Sequence, residues 1–178
     1  MQTLKPNNLV IIDESGCHLN MFLPYARACG GERISMPAPF IKGNKLSIIG
    51  AISINSVESA LYGEWNTDSD MFLEFIQQNI VPRLTKDKVV ILDNIGFHKK
   101  EAVVSAIEST GAKILFLPPY SPEYSPIENM WSKIKQILRK LSPRSIAEFS
   151  KAITHAFKSI TKSDLFGWFK HCGYKVGL

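Results

Sequence analysis

Helical and strand-like segments alternate along the second half of the chain, and this order restricts the fold more than any other feature. Apolar runs too short for helices lie at 88–92 and 113–117, and helical patterns cover 67–80, 99–109 and 126–141. Strands that alternate with helices in this way pair in parallel within one sheet. In such sheets the functional groups gather at the carboxyl ends of the strands. We therefore predict an α/β fold with its functional site at that edge.

Three further strands are predicted upstream. The continuous apolar run at 9–12 is typical of a strand covered on both faces. Segments 45–54 and 58–65 have strand-like composition, and the residues between them predict a hairpin turn. Thr67 is the predicted cap of the helix that follows, with Asp70 at the capping-box position.

Two of the apolar runs end in acidic residues. Asp13 and Glu14 follow the first run, and Asp93 follows the run at 88–92. Because side chains alternate along a strand, Asp13 and Glu14 should point to opposite faces of the sheet. An acid in such a position is either exposed where its strand leaves the core or held there for chemistry, and the run alone leaves both open.

The stretch 117–135, LPPYSPEYSPIENMWSKIK, joins a stiff loop to a helix. Its four prolines restrict the backbone before the helix begins. Ser125 occupies the N-cap position, Pro126 the first helical position and Glu128 the third. Such a rigid start to the helix would hold the Glu128 carboxylate in a well-defined position. The same residues also fit a capping box, in which Glu128 only accepts a hydrogen bond from the Ser125 amide.

Beyond Glu128 the predicted helix has one apolar face and one charged ridge. At roughly 100° per residue, Lys135 and Arg139 lie within roughly 20° of Glu128, so both cations follow it along the same ridge. Beside an active site they would clamp phosphate groups. The predicted apolar face consists of Ile127, Met130, Trp131, Ile134, Leu138 and Leu141.

Asp13, Asp93 and Glu128 together predict a site for hard metal cations. Carboxylates without zinc-type ligands suit Mg²⁺ or Mn²⁺. Two such ions can activate a water or a 3′-hydroxyl and stabilise the leaving oxygen during attack on a phosphodiester. Structural zinc around Cys17 is not predicted, because no fourth ligand stands at a suitable spacing.

Positive charge is concentrated in the C-terminal third of the chain. Residues 131–178 contain ten Lys or Arg and two Asp or Glu, whereas residues 1–130 contain eleven and fourteen, within a net charge of +5. This asymmetry favours a polyanionic partner such as nucleic acid. The long connection predicted at 16–44, which contains Arg33, is also basic, and connections of this length are often functional.

The composition is that of one globular domain. With 178 residues, of which 45% are hydrophobic and 21% charged, the chain can build a single core. No apolar run approaches the ~18 residues of a membrane span, and no signal peptide is visible. The three cysteines form no C-x-x-C pair. We therefore expect an intracellular protein in a reducing compartment, with no membrane partner.

Three separate motifs resemble the catalytic domain of mariner-like DDE transposases, most closely their bacterial insertion-sequence branch. They are DES at 13–15, LDNIGFH at 92–98 and the whole block at 117–135. Thirty-four residues separate Asp93 from Glu128, as is typical of that branch.

The resemblance implies an RNase H-like, retroviral-integrase-type α/β fold with a mixed five-stranded sheet flanked by helices. It covers about 9–141 of a single catalytic domain, 1–178, and leaves a basic helical part at 142–178. It implies metal-dependent cleavage at transposon ends and strand transfer into target DNA, in the cytoplasm or nucleoid of a bacterium. It also implies a homodimer in the active complex, with the loop at 16–44 gripping a partner subunit.

Residue by residue, the resemblance implies that Asp13, Asp93 and Glu128 bind two Mg²⁺ or Mn²⁺ ions. Asn94 and His98 occupy positions beside the second acid and are expected to orient it or to touch DNA. Further DNA contacts are expected from Lys135, Arg139, Tyr120 and Arg33.

Two other functions stay open at this point. Another RNase H-like nuclease, such as a junction resolvase or an RNA–DNA hybrid nuclease, is disfavoured by the proline-rich loop and the 34-residue spacing. A catalytically silent, transposase-derived DNA-binding domain is disfavoured by the presence of all three acids. No helix-turn-helix fits before Leu9, so we expect either a catalytic fragment or a separately encoded domain that reads transposon ends.

Overall fold

The sheet combines an antiparallel half with a parallel half. The computed structural model describes residues 5–25, 27–31, 33, 35 and 44–176. The strands are β1 (Leu9–His18), β2 (Lys45–Ile52), β3 (Val57–Gly63), β4 (Val89–Leu92) and β5 (Lys113–Phe116). Their spatial order is β3-β2-β1-β4-β5, with antiparallel pairing among the first three and parallel pairing of β4 with both β1 and β5. The predicted mixed five-stranded sheet is confirmed.

The first strand is longer than predicted. Instead of ending before Asp13, β1 continues to His18, because β2 pairs with it along this whole length. Its parallel pairing with β4 stops at Ile11 and Ile91. Asp13 therefore lies inside a strand, at the point where β1 and β4 cease to be neighbours.

Among the described residues, five α-helices flank the sheet. They are α1 (Ser69–Phe75), α2 (Glu101–Glu108), α3 (Pro126–Leu141), α4 (Ile146–Lys158) and α5 (Lys162–His171). A π-helical segment, Ile76–Ile80, prolongs α1, and a 3-10 turn, Gly96–Lys99, follows β4. Within the described part of the chain, no helix is long and apolar enough to cross a membrane.

The predicted cap of α1 is wrong by one residue. Asp68 is the N-cap, and its carboxylate accepts hydrogen bonds from the backbone N–H groups of Asp70 and Met71. A carboxylate satisfies two of the free N–H groups at once and also interacts favourably with the positive end of the helix dipole. This explains why Asp68 rather than Thr67 takes the position.

An apolar layer covers each face of the sheet. Helices α3, α4 and α5 cover one face, where Ile11, Trp131 and Phe149 are buried. The α1 segment and α2 cover the other face, where Ile12 and Phe72 are buried. Because Ile11 and Ile12 alternate in this way, Asp13 faces α3, and the next residue of β1 faces the α1 side.

The C-terminal helices pack on α3. Phe149 of α4 and Phe169 of α5 are fully buried in the same layer as the α3 core residues. One residue predicted on the buried apolar face of α3 is not buried: Leu141 is 49% exposed. It is the last helical residue, and the chain turns away at Ser142, whose φ is +46°.

Candidate active site

A cavity of about 350 Å³ lies where β1 and β4 separate. Asp13 of β1, Asp93 after β4 and Glu128 in the first turn of α3 all line this cavity. The proline-rich loop before α3 forms the rest of the wall, with Pro118, Pro119, Tyr120, Ser121 and Pro122. The fold thus gathers three acids that are far apart in sequence around one space.

Asp13 is held in place by the packing of α3 on the sheet. The indole Nε1–H of Trp131 donates a hydrogen bond to Asp13 Oδ2 at 3.0 Å. The indole ring fits because the cross-strand partner of Asp13 is Gly50, where a Cβ atom would lie 2.6 Å from Trp131 Cη2. Sequence reasoning placed Trp131 in the core but missed this contact. The available signal was that a buried indole N–H needs an acceptor.

Burial and neighbouring negative charge raise the pKa of Asp13 from 3.8 to about 7. Burial has the largest effect, followed by the charges of Glu14 and Glu128, and the Trp131 hydrogen bond opposes them only weakly. Carboxylates that share a site in this way disfavour each other's ionisation. A cation bound among them would relieve that repulsion.

Glu128 takes no part in a capping box. The Ser125 side chain caps no backbone N–H of α3. The Ser125 amide, which a capping box would offer to Glu128, donates instead to the Pro122 carbonyl at 2.9 Å. The capping interpretation is therefore wrong, and the exposed Glu128 carboxylate remains available at the cavity wall.

Asp93 is tied to a buried histidine. His98 has no exposed surface, and its ring packs between Phe72 and Phe97 with centroid distances of 4.2 and 4.6 Å. Its Nε2 lies 2.8 Å from Glu14 Oε1. Its Nδ1 lies 2.5 Å from Asp93 Oδ1, an ion pair without the alignment of a regular hydrogen bond. A DNA contact by His98 is excluded by this burial, and of its two expected roles only that of orienting Asp93 fits.

The two acids keep His98 protonated. Burial alone would lower the pKa of His98, but its contacts with Asp93 and Glu14 outweigh burial and raise the pKa to about 9. Burial likewise acts to raise the pKa of Asp93, yet the His98 contact lowers it overall. Glu14 was not among the predicted site residues. Its signal was its position beside Asp13 on the opposite face of β1.

Asn94 and Tyr120 also line the cavity. The Asn94 Oδ1 atom is buried and has no hydrogen-bond partner among the described residues. Tyr120 is fully exposed, with a relative accessibility of 101% and a φ of +55°. Asn94 thus keeps a buried, unpaired acceptor beside the cavity, and Tyr120 presents an exposed aromatic ring at its rim.

The predicted cationic residues do not line the cavity. Lys135 and Arg139 lie further along α3, near Cys17 of β1. There burial raises the pKa of the Cys17 thiol to about 11, and the two positive charges oppose this. Arg33 is exposed in the connection after β1, which begins after His18 rather than at residue 16. Residues 26, 32, 34 and 36–43 of that connection lie outside the described residues.

The donor set of the cavity fits a divalent cation. Three carboxylates line it, and oxygen donors of this kind suit Mg²⁺ and Mn²⁺. As the side chains stand, no three His, Cys, Asp or Glu residues in the described ranges are close enough together to hold one ion.

A family model described as DDE superfamily endonuclease matches residues 8–150, which include Asp13, Asp93 and Glu128. The chain belongs to the DDE superfamily endonucleases. The resemblance drawn from the three sequence motifs is thereby confirmed at the level of the superfamily.

This DDE superfamily endonuclease is also similar to the uncharacterized protein y4pE/y4sA of Sinorhizobium fredii (strain NBRC 101917 / NGR234). The two are 34% identical over 67 residues, which cover 38% of this chain and 46% of the relative.

Solved structures share the fold of this endonuclease. The pre-cleavage Mos1 transpososome has a TM-score of 0.75 at 13% identity, over 94% of this chain and 53% of that chain. The catalytic domain of Mos1 mariner transposase has a TM-score of 0.69 at 12% identity, and the match covers 94% of this chain and 78% of that chain. The Mos1 mariner paired end complex with Mn has a TM-score of 0.74 at 14% identity, and the match covers 94% of this chain and 53% of that chain. The predicted RNase H-like fold is confirmed, and the chain spans about half the length of the transpososome chain.

Proposed function

We propose that this chain is the catalytic domain of a transposase, which cleaves DNA at transposon ends and joins the freed strands to target DNA. The observation that carries the proposal is the single cavity lined by Asp13, Asp93 and Glu128 in a DDE superfamily endonuclease. The similar Mos1 structures, which include a strand transfer complex and a paired end complex with Mn, support it.

Asp13, Asp93 and Glu128 would hold two Mg²⁺ or Mn²⁺ ions. Bound ions would supply activation of the attacking hydroxyl or water and stabilisation of charge on the leaving oxygen. The chain's own residues position the three acids. Trp131 holds Asp13 through Oδ2, His98 contacts Asp93, and the proline-restricted start of α3 places Glu128.

DNA contacts are proposed for residues around and beyond the cavity. Asn94 and Tyr120 lie at the cavity itself, while Lys135 and Arg139 continue the ridge of α3 and would neutralise backbone phosphates. Arg33 would add a contact from the connection after β1. We further propose a homodimer in the active complex and action on DNA in the cytoplasm or nucleoid of a bacterium. A region outside this chain would read the transposon ends.

Glu128→Gln should abolish nicking of supercoiled plasmid in Mn²⁺, an assay that requires no transposon-end sequence. The substitution keeps the side-chain size but removes one metal-binding charge. Because Glu128 is exposed and forms no capping box, circular dichroism should show an unchanged fold. The matched control is Glu123→Gln, which removes an exposed carboxylate from the adjoining loop.

Each outcome of this assay discriminates between functions. Equal nicking by wild type and Glu128→Gln would overturn the catalytic role of Glu128. Joining of an oligonucleotide with a free 3′-hydroxyl to the plasmid would separate a transposase from another RNase H-like nuclease. A well-folded wild-type protein that neither nicks DNA nor binds Mn²⁺ in calorimetry would be a silent DNA-binding descendant.

Tyr120→Gly should weaken DNA binding without destabilising the fold. The left-handed backbone at Tyr120 disfavours any side chain by about 1–2 kcal/mol, and the exposed ring gains nothing from packing. A strained, exposed aromatic residue at the rim of a cavity suggests contact with a ligand. Stacking of such a ring on a nucleobase contributes ~1–3 kcal/mol.

Fluorescence anisotropy with a labelled single-stranded oligonucleotide would measure this effect. We expect binding by Tyr120→Gly to fall at least about fivefold, with a melting temperature equal to or above that of wild type. Tyr120→Phe keeps the ring and should bind normally. Unchanged binding by Tyr120→Gly would remove Tyr120 from the proposed DNA surface.

A further inference from the structure

We infer that Glu14 and His98 form a positioning pair that orients Asp93 toward the cavity. The inference rests on the proposed function, in which Asp93 is a metal ligand. Neither Glu14 nor His98 is placed among the catalytic residues. Both act through Asp93, from the side of the sheet opposite Asp13.

The Asp93 carboxylate is anchored through only one of its oxygens. Oδ1 lies 2.5 Å from His98 Nδ1 and accepts a hydrogen bond from the Ile95 amide at 3.3 Å. Within the described residues, no hydrogen bond or ion pair engages Oδ2, and the side chain is 41% exposed. The anchored oxygen therefore sets the orientation of the group, and Oδ2 is left to face the cavity.

His98 is in turn fixed by Glu14. The Glu14 Oε1 atom lies 2.8 Å from His98 Nε2, and the Glu14 side chain is only 13% exposed. Phe72 and Phe97 confine the plane of the ring. Both ring nitrogens thus contact carboxylates, and the ring cannot turn without losing one of these contacts.

This link spans the place where backbone pairing between β1 and β4 is missing. The parallel ladder ends at Ile11 and Ile91, two residues before Asp13 and Asp93. With no ladder at this level, a side-chain connection is what relates the end of β4 to β1. Glu14 and Asp13 are adjacent in β1, so the contact through His98 also fixes Asp93 relative to Asp13.

The geometry predicts a specific effect on metal affinity. Removing the partner that orients a metal ligand typically weakens metal binding about 10- to 100-fold. Glu14→Ala should therefore weaken Mn²⁺ binding by about this factor in titration calorimetry. The titration is run at pH 8, above the pKa of about 7 for Asp13, so that most of Asp13 is ionised in each variant.

Glu14→Gln distinguishes an effect of Glu14 on the orientation of Asp93 from a direct effect of the Glu14 charge on the metal ion. Its amide oxygen can still accept from His98 Nε2, so Mn²⁺ affinity should recover most of the ~10- to 100-fold loss. A direct attraction between the Glu14 charge and the ion would instead leave Glu14→Gln as weak as Glu14→Ala. Glu123→Ala, at an exposed carboxylate of the proline-rich loop, is the control and should bind like wild type.

A second variant tests the histidine. His98→Phe keeps a ring between Phe72 and Phe97 but removes both nitrogen contacts, and its Mn²⁺ affinity should fall like that of Glu14→Ala. Melting temperatures are measured in parallel, because a purely structural contact would lower stability and leave metal affinity unchanged.

Wild-type affinity in a folded Glu14→Ala protein would overturn the positioning role alone. Absence of Mn²⁺ binding by the wild-type protein would overturn the proposed function as well.

Discussion

Asp13→Asn should make the folded protein more stable at pH 8 and at the same time inactive in nicking. The pKa of the Asp13 carboxyl is raised from 3.8 to about 7 by burial and by the charges of Glu14 and Glu128. Folding at pH 8 must therefore keep a charge in a site that disfavours it, at a cost on the order of 4 kcal/mol. Asn has nearly the same shape, and its amide oxygen can still accept from Trp131. We expect the free energy of unfolding, measured with urea, to rise by up to about 4 kcal/mol.

The pH dependence of stability tests the same cause. Because the folded-state pKa of Asp13 lies above its ordinary value, its favourable contribution is complete below about pH 4 and is lost as the pH rises to about 7. Wild type should lose stability across this window, whereas Asp13→Asn should not. His98, whose pKa is raised from 6.5 to about 9, adds a second decline between these values in both proteins.

Two further measurements complete this test. Saturating Mn²⁺ should stabilise the wild-type protein at pH 8, because a ligand that binds only the folded state raises its stability. Asp13→Asn should gain much less from the ion. The exposed control Glu123→Gln should keep the wild-type pH profile. A decline between pH 4 and 7 that persists unchanged in Asp13→Asn would show that another group causes it.

Gly50→Ala should destabilise the protein by about 2–3 kcal/mol. The added Cβ would lie 2.6 Å from Cη2 of Trp131, a buried side chain in the apolar layer between α3 and the sheet. Either α3 must shift or the indole must rotate, and both movements disturb the hydrogen bond to Asp13. Nicking should fall together with stability. The matched control is Gly16→Ala, where the nearest atom to a new Cβ is Lys45 Cε at 3.8 Å.

A double-mutant cycle identifies the contact responsible. Trp131→Phe removes the outer ring that contains Cη2 and makes room for the methyl group of Gly50→Ala. The two substitutions together should therefore cost at least about 1 kcal/mol less than the sum of their separate effects. Additive effects would place the strain of Gly50→Ala elsewhere than at Trp131.

Local patterns in the sequence were sufficient for most of the fold. Apolar runs predicted β4 and β5, and helical periodicity predicted α3 with its buried residues from Ile127 to Leu138. Predictions at segment ends were less accurate. The end of β1, the cap of α1 and the burial of Leu141 depend on which neighbouring segment supplies or withholds a partner.

Some features of the candidate site also follow from the sequence, whereas others depend on tertiary packing. The sequence by itself determined the chemical types of Asp13, Asp93 and Glu128, their order and spacing, and the stiff start of α3, because all of these are properties of contiguous residues. Only the tertiary structure decided that the Ser125 amide is already bonded, that Gly50 admits Trp131, and that His98 joins Glu14 to Asp93. The contact of Glu14 with His98 bridges 84 positions and that of Trp131 with Asp13 bridges 118. Periodicity shows which face a side chain occupies, but the partner it meets there is chosen by the packing of distant segments.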